Sequence, residues 1–302
     1  MRFYSNGKLL ISGEYLVLKG ALALAMPVKF GQSLEISTYE GEELKWESFE
    51  KSKLWFSADF SRQDFEILQS SNNLIAQNLQ KILQEADQLS GGKLRKDKIK
   101  ISTNVNFNMQ WGLGSSSSLI SNVAMWAEVD PYKLHFGVSE GSGYDIACAR
   151  SDTPLFFQNT NGEIHVEEIQ FNPPFKDNLY FVYLGEKQDS AKSVKKFILG
   201  KKVDNAVIEM VSELSKEMAM TDKLSDFEYY LKKHEEILSG VLGQEKIKDL
   251  RFPDFNGEIK SLGAWGGDFA LATFKGPKED VQKYFLNKGL DVVFRFDEIV
   301  KK

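Results

Sequence analysis

Along the first sixty residues apolar and polar side chains alternate, or cluster in short runs between turn signals, at 2–5, 8–12, 21–28, 33–39, 44–49 and 54–60. A period of two buries one face of an extended chain, so a strand is predicted at each. The period lengthens to a helical one at 73–83, and the segment is closed by Ser90-Gly91-Gly92. A strand at 98–103 leads toward a glycine loop at 111–118 and a helix follows it through 119–126, then strands at 154–158, 164–169 and 179–184. Helical spacing returns at 203–220 and 227–242, and Phe227, Tyr230, Leu231 and His234 lie on one side of the second helix. The chain ends as strand (259–262), turn (263–267), strand (269–274), helix (279–287) and strand (291–296). Strands and helices in segregated runs predict an α+β fold. For 302 residues two lobes are expected, 1–165 and 166–302, with the division somewhere in 155–175.

Composition narrows the class. A hydrophobic fraction of 42% and a charged fraction of 27% belong to a globular chain, and no apolar run is long enough to cross a bilayer. The opening residues lack the apolar core of a signal peptide, so a cytoplasmic location is expected. One cysteine, Cys148, excludes an internal disulfide and reads as a small core residue. His135, His165 and His234 have no metal-ligand spacing and read as surface or capped histidines. Net charge is −5, and the basic run 93–100 is interrupted by Asp97 in the manner of a solvated loop, so neither nucleic acid nor a membrane is an expected partner.

Candidate chemistry begins at Trp111-Gly112-Leu113-Gly114-Ser115-Ser116-Ser117-Ser118, which runs directly into the apolar helical stretch 119–126. Two glycines permit backbone conformations that let several amides converge on one anion. A helix N-terminus adds about half a positive charge at that spot. The alternative is a serine-capped core helix. Three further segments carry glycine beside charge: Asn6 to Tyr15, with Lys8 and Glu14 on either side of an apolar strand; 141–147, Gly-Ser-Gly-Tyr-Asp-Ile-Ala, with Asp145 at the head of a short helix; and 263–268, Gly-Ala-Trp-Gly-Gly-Asp. Alone, each has an ordinary structural reading, the aspartate as a helix cap and the last segment as a hairpin connection.

In combination and order these segments resemble the GHMP kinases, the family of galactose, homoserine, mevalonate and phosphomevalonate kinases. Gly7-Lys8-Leu9 through Gly13-Glu14-Tyr15 is similar to the first family motif, Gly112-Leu113-Gly114-Ser115-Ser116 to the second, and Gly263-Ala264 with Gly266-Gly267 to the third. The resemblance implies an N-terminal lobe of the ribosomal-S5-like type, a ferredoxin-like C-terminal lobe, and a small-molecule acceptor bound between them. It implies ATP and Mg²⁺ as cofactors, with Gly112, Leu113, Gly114, Ser115, Ser116 and Ser117 at the phosphates and Ser116 on the metal. Asp145 would accept or orient the acceptor's proton, and Lys8 would offset charge on the transferring group and steady Asp145. Glu14, Ser142, Gly143, Lys187, Ser190, Lys192, Gly266 and Gly267 would face the acceptor.

Within the family, the opening segment, the 141–147 run and Gly266-Gly267-Asp268 are similar to phosphomevalonate kinases. A phosphate acceptor is already ionised and needs no base, whereas a hydroxyl would use Asp145 naturally, so mevalonate or another small alcohol is the alternative acceptor. A diphosphomevalonate-decarboxylase-like enzyme and a catalytically silent relative are further alternatives. The chain departs from the family at Asn108, where a proline is usual, and at Trp265, where a glycine is usual. It also has a short path from the glycine loop to Asp145, where Glu140 is the nearest acid.

Overall fold

A computed structural model describes residues 1–95, 98–186, 194, 197, 200 and 203–302. Its contacts divide the chain into two units. The first comprises Met1–Gly7, Phe30–Met109 and Leu113–Arg150; the second comprises Lys8–Lys29, Gln110–Gly112 and Ser151–Lys302.

In the first unit lie strands β1 (Arg2–Leu10), β2 (Ala23–Thr38), β3 (Leu44–Glu50), β4 (Lys53–Phe60), β5 (Ile67–Ser70) and β6 (Ile99–Val105), of which β1 and β2 run on into the second. The sheet order is β5-β4-β3-β6-β2, with β1 also on β2. The β3–β6 pair is parallel, and β2–β6, β3–β4 and β4–β5 are antiparallel. Alternate residues of β3 and β6 are buried, the signature of a sheet covered on one face. The cover is α1 (Asn73–Leu89), α2 (Ser115–Ala127), α3 (Pro131–Val138) and α4 (Tyr144–Arg150). Trp46, Phe56, Phe60, Leu79, Leu83, Ile101, Val123 and Ile146 form their common core, and each such side chain contributes about 1.5–3 kcal/mol by leaving water.

The second unit starts with the other half of β2, whose Ala23, Leu24 and Ala25 pair with β7 (Leu155–Thr160), itself paired with β8 (Glu163–Glu168). A separate antiparallel sheet holds β9 (Leu179–Tyr183), β10 (Ile259–Leu262), β11 (Phe269–Thr273) and β12 (Val293–Arg295) in the order β10-β11-β9-β12. The associated helices are α5 (Asn205–Met220), α6 (Leu224–Leu242), α7 (Ile247–Arg251), α8 (Lys278–Asn287) and α9 (Phe296–Ile299). Numbered along this sheet the strand order is 4-1-3-2, the ferredoxin-like arrangement expected for this part of the chain.

Several boundaries differ from the sequence reading. The expected breaks at Gly7 and Gly31 are absent: β1 and β2 are each one long strand. Gly31 serves close approach instead, since a Cβ there would sit 2.3 Å from the Ser5 carbonyl oxygen. Where the sequence reading places one division in 155–175, the two contact-defined units are discontinuous, and Ala23, Leu24 and Ala25 pair with β7. Helices α3, α7 and α9 and strand β5 were not expected; they are too short for periodicity to register. Among the described residues no helix is long and apolar enough to cross a membrane.

Candidate active site

The 112–118 segment opens α2 through two left-handed glycines, Gly112 at φ 65° and Gly114 at φ 89°. Gly114 is itself the N-cap, and no side chain caps the helix. The serine-capped reading is therefore not what the chain adopts. Ser116 is exposed and Ser115 half-buried, while Ser117 and Ser118 face inward. Ser117, expected among the phosphate groups, donates its hydroxyl to the Gly114 carbonyl oxygen at 3.0 Å. Leu113 is fully buried, so its part in the loop is played by its backbone.

Helix α2 buries an unusually polar face. Ser118 Oγ donates to Gln32 Oε1 at 3.0 Å, Asn122 Nδ2 to the Gln32 carbonyl at 2.9 Å, and Ser5 Oγ lies 2.8 Å from Ser121 Oγ. These bonds, satisfied away from water, fix the helix on β1 and β2 and so fix where its N-terminus points.

Gly112 is held on two sides. Its carbonyl accepts from Lys8 Nζ at 2.9 Å, and a Cβ on it would lie 1.9 Å from Asp268 Oδ2. The first, second and third glycine segments thus supply one residue each to a single point of the second unit.

Asp145 is half-buried in the first turn of α4, where its charge complements the helix dipole. Its Oδ1 accepts from the Ile146 amide at 3.1 Å, and Gly143 at φ 95° makes the turn before it. Ser142 is buried. Nearby, the Tyr132 hydroxyl is pushed up to about 12, first by burial and then by Cys148, Asp130 and Asp145. His135 is buried against Phe136 with neither ring nitrogen hydrogen-bonded, so the expectation of a surface or capped histidine fails there. His165 is exposed on β8, as expected.

The expectation fails again at His234, which is fully buried. Its Nε2 accepts from the Gly13 amide at 2.9 Å, which places the ring proton on Nδ1. Burial first and Lys260 second hold its pKa well below the usual histidine value. The 3.5 Å approach of Nε2 to Glu14 is consequently not an ion pair. Glu14, expected to face the acceptor, is 2% exposed and bonded to the ammonium of the fully buried Lys260. Burial still leaves the Glu14 pKa raised, the largest effect, with Lys260 and the backbone amides of Glu14 and Gly263 pulling it down. Glu235 stands 3.6 Å from the same ammonium and is pushed up to about 7, chiefly by burial, with Glu14 repelling it and Lys260 opposing.

The 263–267 segment is the connection between antiparallel β10 and β11, closing the Leu262–Phe269 pair, with Gly263 at φ 76° and Gly266 at φ 71°. Its amides are partly committed: Trp265 N–H donates to Tyr15 Oη at 3.0 Å and Gly266 N–H to Ser261 Oγ at 2.9 Å. Gly267 is buried. The Trp265 indole donates to the Glu245 carbonyl at 3.0 Å and packs with Leu16, Val211 and Leu238. Lys187, Ser190 and Lys192 lie outside the described residues.

Neither a protein-family model nor a curated protein matches the chain by sequence. Solved structures do match. A phosphomevalonate kinase of Streptococcus pneumoniae, in complex with phosphomevalonate and AMPPNP, superposes with a TM-score of 0.74 at 17% identity, covering 98% of this chain and 99% of that one. The mevalonate kinase of Methanococcus jannaschii gives 0.70 at 16%, covering 100% and 98%, and a Lactococcus lactis galactokinase complexed with galactose gives 0.68 at 12%, covering 99% and 92%. The fold is that of the GHMP kinases. At these identities the shared property is the fold.

Lys260 and Glu235 are the buried charged residues of this GHMP-kinase fold that sequence reasoning passed over. The signal for Lys260 was a lysine set inside the strand predicted at 259–262, between Ile259 and Leu262. The signal for His234 was its place on the apolar face of α6 beside Phe227 and Leu231. Among the described residues no group of three or more His, Cys, Asp or Glu could hold a metal ion.

Proposed function

We propose that the protein is an ATP-dependent small-molecule kinase, with phosphomevalonate as acceptor and mevalonate or another small alcohol as the second reading. The observation that carries it is the α2 N-terminus, opened by Gly112 and Gly114 and capped by no side chain, with Lys8 bonded to the Gly112 carbonyl. Such a terminus offers converging amides and the positive end of a dipole to phosphate oxygens.

Phosphoryl transfer needs positioning and charge stabilisation more than covalent help from the protein. The backbone of 112–116 would hold the nucleotide phosphates and exclude water from them. Lys8 would lend positive charge to the transferring group. Ser116, with its exposed hydroxyl on the first turn of α2, suits Mg²⁺, an ion that takes oxygen ligands and keeps waters and phosphates around it. When bound, Mg²⁺ would neutralise charge on the phosphates. Asp145 would orient the acceptor, and for a hydroxyl acceptor would take its proton at a carboxylate oxygen.

The second reading is favoured by Asp145 itself, a carboxylate in the first turn of α4 that a phosphate acceptor has little use for. Phosphomevalonate is favoured by the 141–147 and 266–268 segments, which resemble the corresponding motifs of that subgroup. A coupled assay of ADP release decides: release with phosphomevalonate alone supports the first reading and release with mevalonate the second. Carbon dioxide release from diphosphomevalonate marks the decarboxylase alternative, and nucleotide binding without any turnover marks a silent relative.

A further inference from the structure

Two glycine turns of the second unit rest on adjacent residues of one helix. On α6, His234 accepts from the Gly13 amide, and Glu235 Oε2 accepts from the Ser261 amide at 3.4 Å. Ser261 is a hub. Besides that bond, its carbonyl accepts from Lys260 Nζ at 2.8 Å and its hydroxyl accepts from the Gly266 amide at 2.9 Å. A path of direct bonds therefore joins Glu235, through Ser261, to the 263–267 turn, and Tyr15 joins the same turn at Trp265.

The buried group does not balance in charge. Glu14 and Glu235 face one cation, Lys260, while His234 stays neutral because its Nε2 is an acceptor. Glu14 takes the ammonium directly, whereas Glu235 stands at 3.6 Å and its Oε1 has no hydrogen-bond partner. An ionised carboxylate so placed, away from water, is costly unless it takes a proton.

We propose that Glu14, Lys260 and Glu235 are positioning residues that set the shape of the 263–267 turn, and that the proton on Glu235 selects between two shapes of it. The proposal rests on the reading of that turn as facing the acceptor. With Glu235 protonated the group is neutral and the Ser261 amide sees an uncharged oxygen. With Glu235 ionised the group carries one excess negative charge, and Oε2 draws harder on the Ser261 amide and on Lys260. Either change moves Ser261 and, through its hydroxyl, Gly266. The groups facing Glu235 are Lys260 and the Ser261 amide from β10, Glu14 from the turn after β1, and neutral His234 on its own helix. Their balance puts the titration of Glu235 at about 7.

The test labels the tryptophans with fluorotryptophan and follows the Trp265 resonance, assigned by Trp265→Phe, in the ligand-free protein from about pH 5 to about pH 9. The resonance is expected to titrate with a midpoint near 7 in the parent protein and to be flat in Glu235→Gln. In Glu14→Gln, where the repelling charge is gone, the midpoint is expected to fall. A flat resonance in the parent protein, a titration that survives Glu235→Gln, or an unmoved midpoint in Glu14→Gln each overturns the proposal. In the same range acceptor KM is expected to change by up to about tenfold per pH unit beyond the midpoint, with kcat moving less, and to lose that slope in Glu235→Gln. The resonance needs no turnover. Absence of ADP release with every acceptor would overturn the kinase reading while the resonance still decides the positioning role.

Discussion

The Gly13 amide donates to His234 Nε2 at 2.9 Å, across 221 positions of sequence. This bond fixes the ring's tautomer, keeps the imidazole neutral, and supports a left-handed glycine at φ 87° whose would-be Cβ meets Ala23 Cβ at 2.9 Å. A charged ring would lose the bond and sit beside Lys260.

The His234 pKa is lowered in the fold, so the unfolded chain binds a proton that the native protein refuses. The resulting stability loss sets in as pH falls below the usual histidine value near 6.5 and is absent above it. His234→Gln keeps an acceptor for Gly13 without the titration. Raising the pH from about 5 to about 7.5 is expected to shift the thermal midpoint further in the upward direction in the parent protein than in the variant, on top of the opposing Glu235 contribution that both share; identical shifts would show that His234 does not titrate between the folded and unfolded states.

Glu235 works in the opposite sense. Its pKa rises from 4.5 to about 7 on folding, so its contribution is intact below 4.5 and is lost as pH rises through about 7. Glu235→Gln should therefore gain stability relative to the parent protein across that window and keep the gain above it. Denaturant melts at several pH values measure this, and a constant difference would contradict it.

Gly112→Ala combines a left-handed backbone with a clash against Asp268, whereas Gly91→Ala places a Cβ in open space at φ 70°. The Gly91 variant isolates the conformational cost, about 1–3 kcal/mol. Gly112→Ala should cost more and should also weaken nucleotide binding, readable by calorimetry. Equal costs with unchanged nucleotide affinity would remove Gly112 from the proposed phosphate-binding backbone of 112–116.

Neighbouring serines should separate cleanly. Ser116→Ala, at an exposed hydroxyl, is expected to lower Mg²⁺-dependent turnover with the melting temperature unchanged. Ser117→Ala breaks the bond to the Gly114 carbonyl and should cost about 1 kcal/mol of stability. The reverse pattern would mean that the loop presents Ser117 to the nucleotide.

For Asp145→Asn, nucleotide affinity should stay near the parent value. Turnover on a hydroxyl acceptor should fall by roughly 10²-fold or more, the scale of a positioned proton acceptor. Turnover on a phosphate acceptor should fall much less. Parallel kinetics with both acceptors test the role of the carboxylate independently of which acceptor is preferred.

The longer strands of the first sheet, the long helices, the strand–turn–strand–helix–strand ending and the glycine segments were legible because each is a local pattern, whereas the ferredoxin-like arrangement of that ending came from the family resemblance. Alternation in β3 and β6, the helical face of α1 and the paired glycines at 112 and 114 are properties of neighbouring residues, and neighbours along the chain determine backbone conformation. Burial of Glu14 and Lys260 was not legible in that way, and the apolar face of α6 turned His234 inward without showing what it would meet. A lysine in a strand or a histidine on a helix is ordinarily a surface residue, and only the convergence of the turn after β1, α6 and β10 removes these three from water together. The sequence by itself set which elements form and which loops can bend around an anion. Tertiary structure decided which charges are shut inside, because desolvation and the sharing of one ammonium by two carboxylates depend on residues that meet only in the fold.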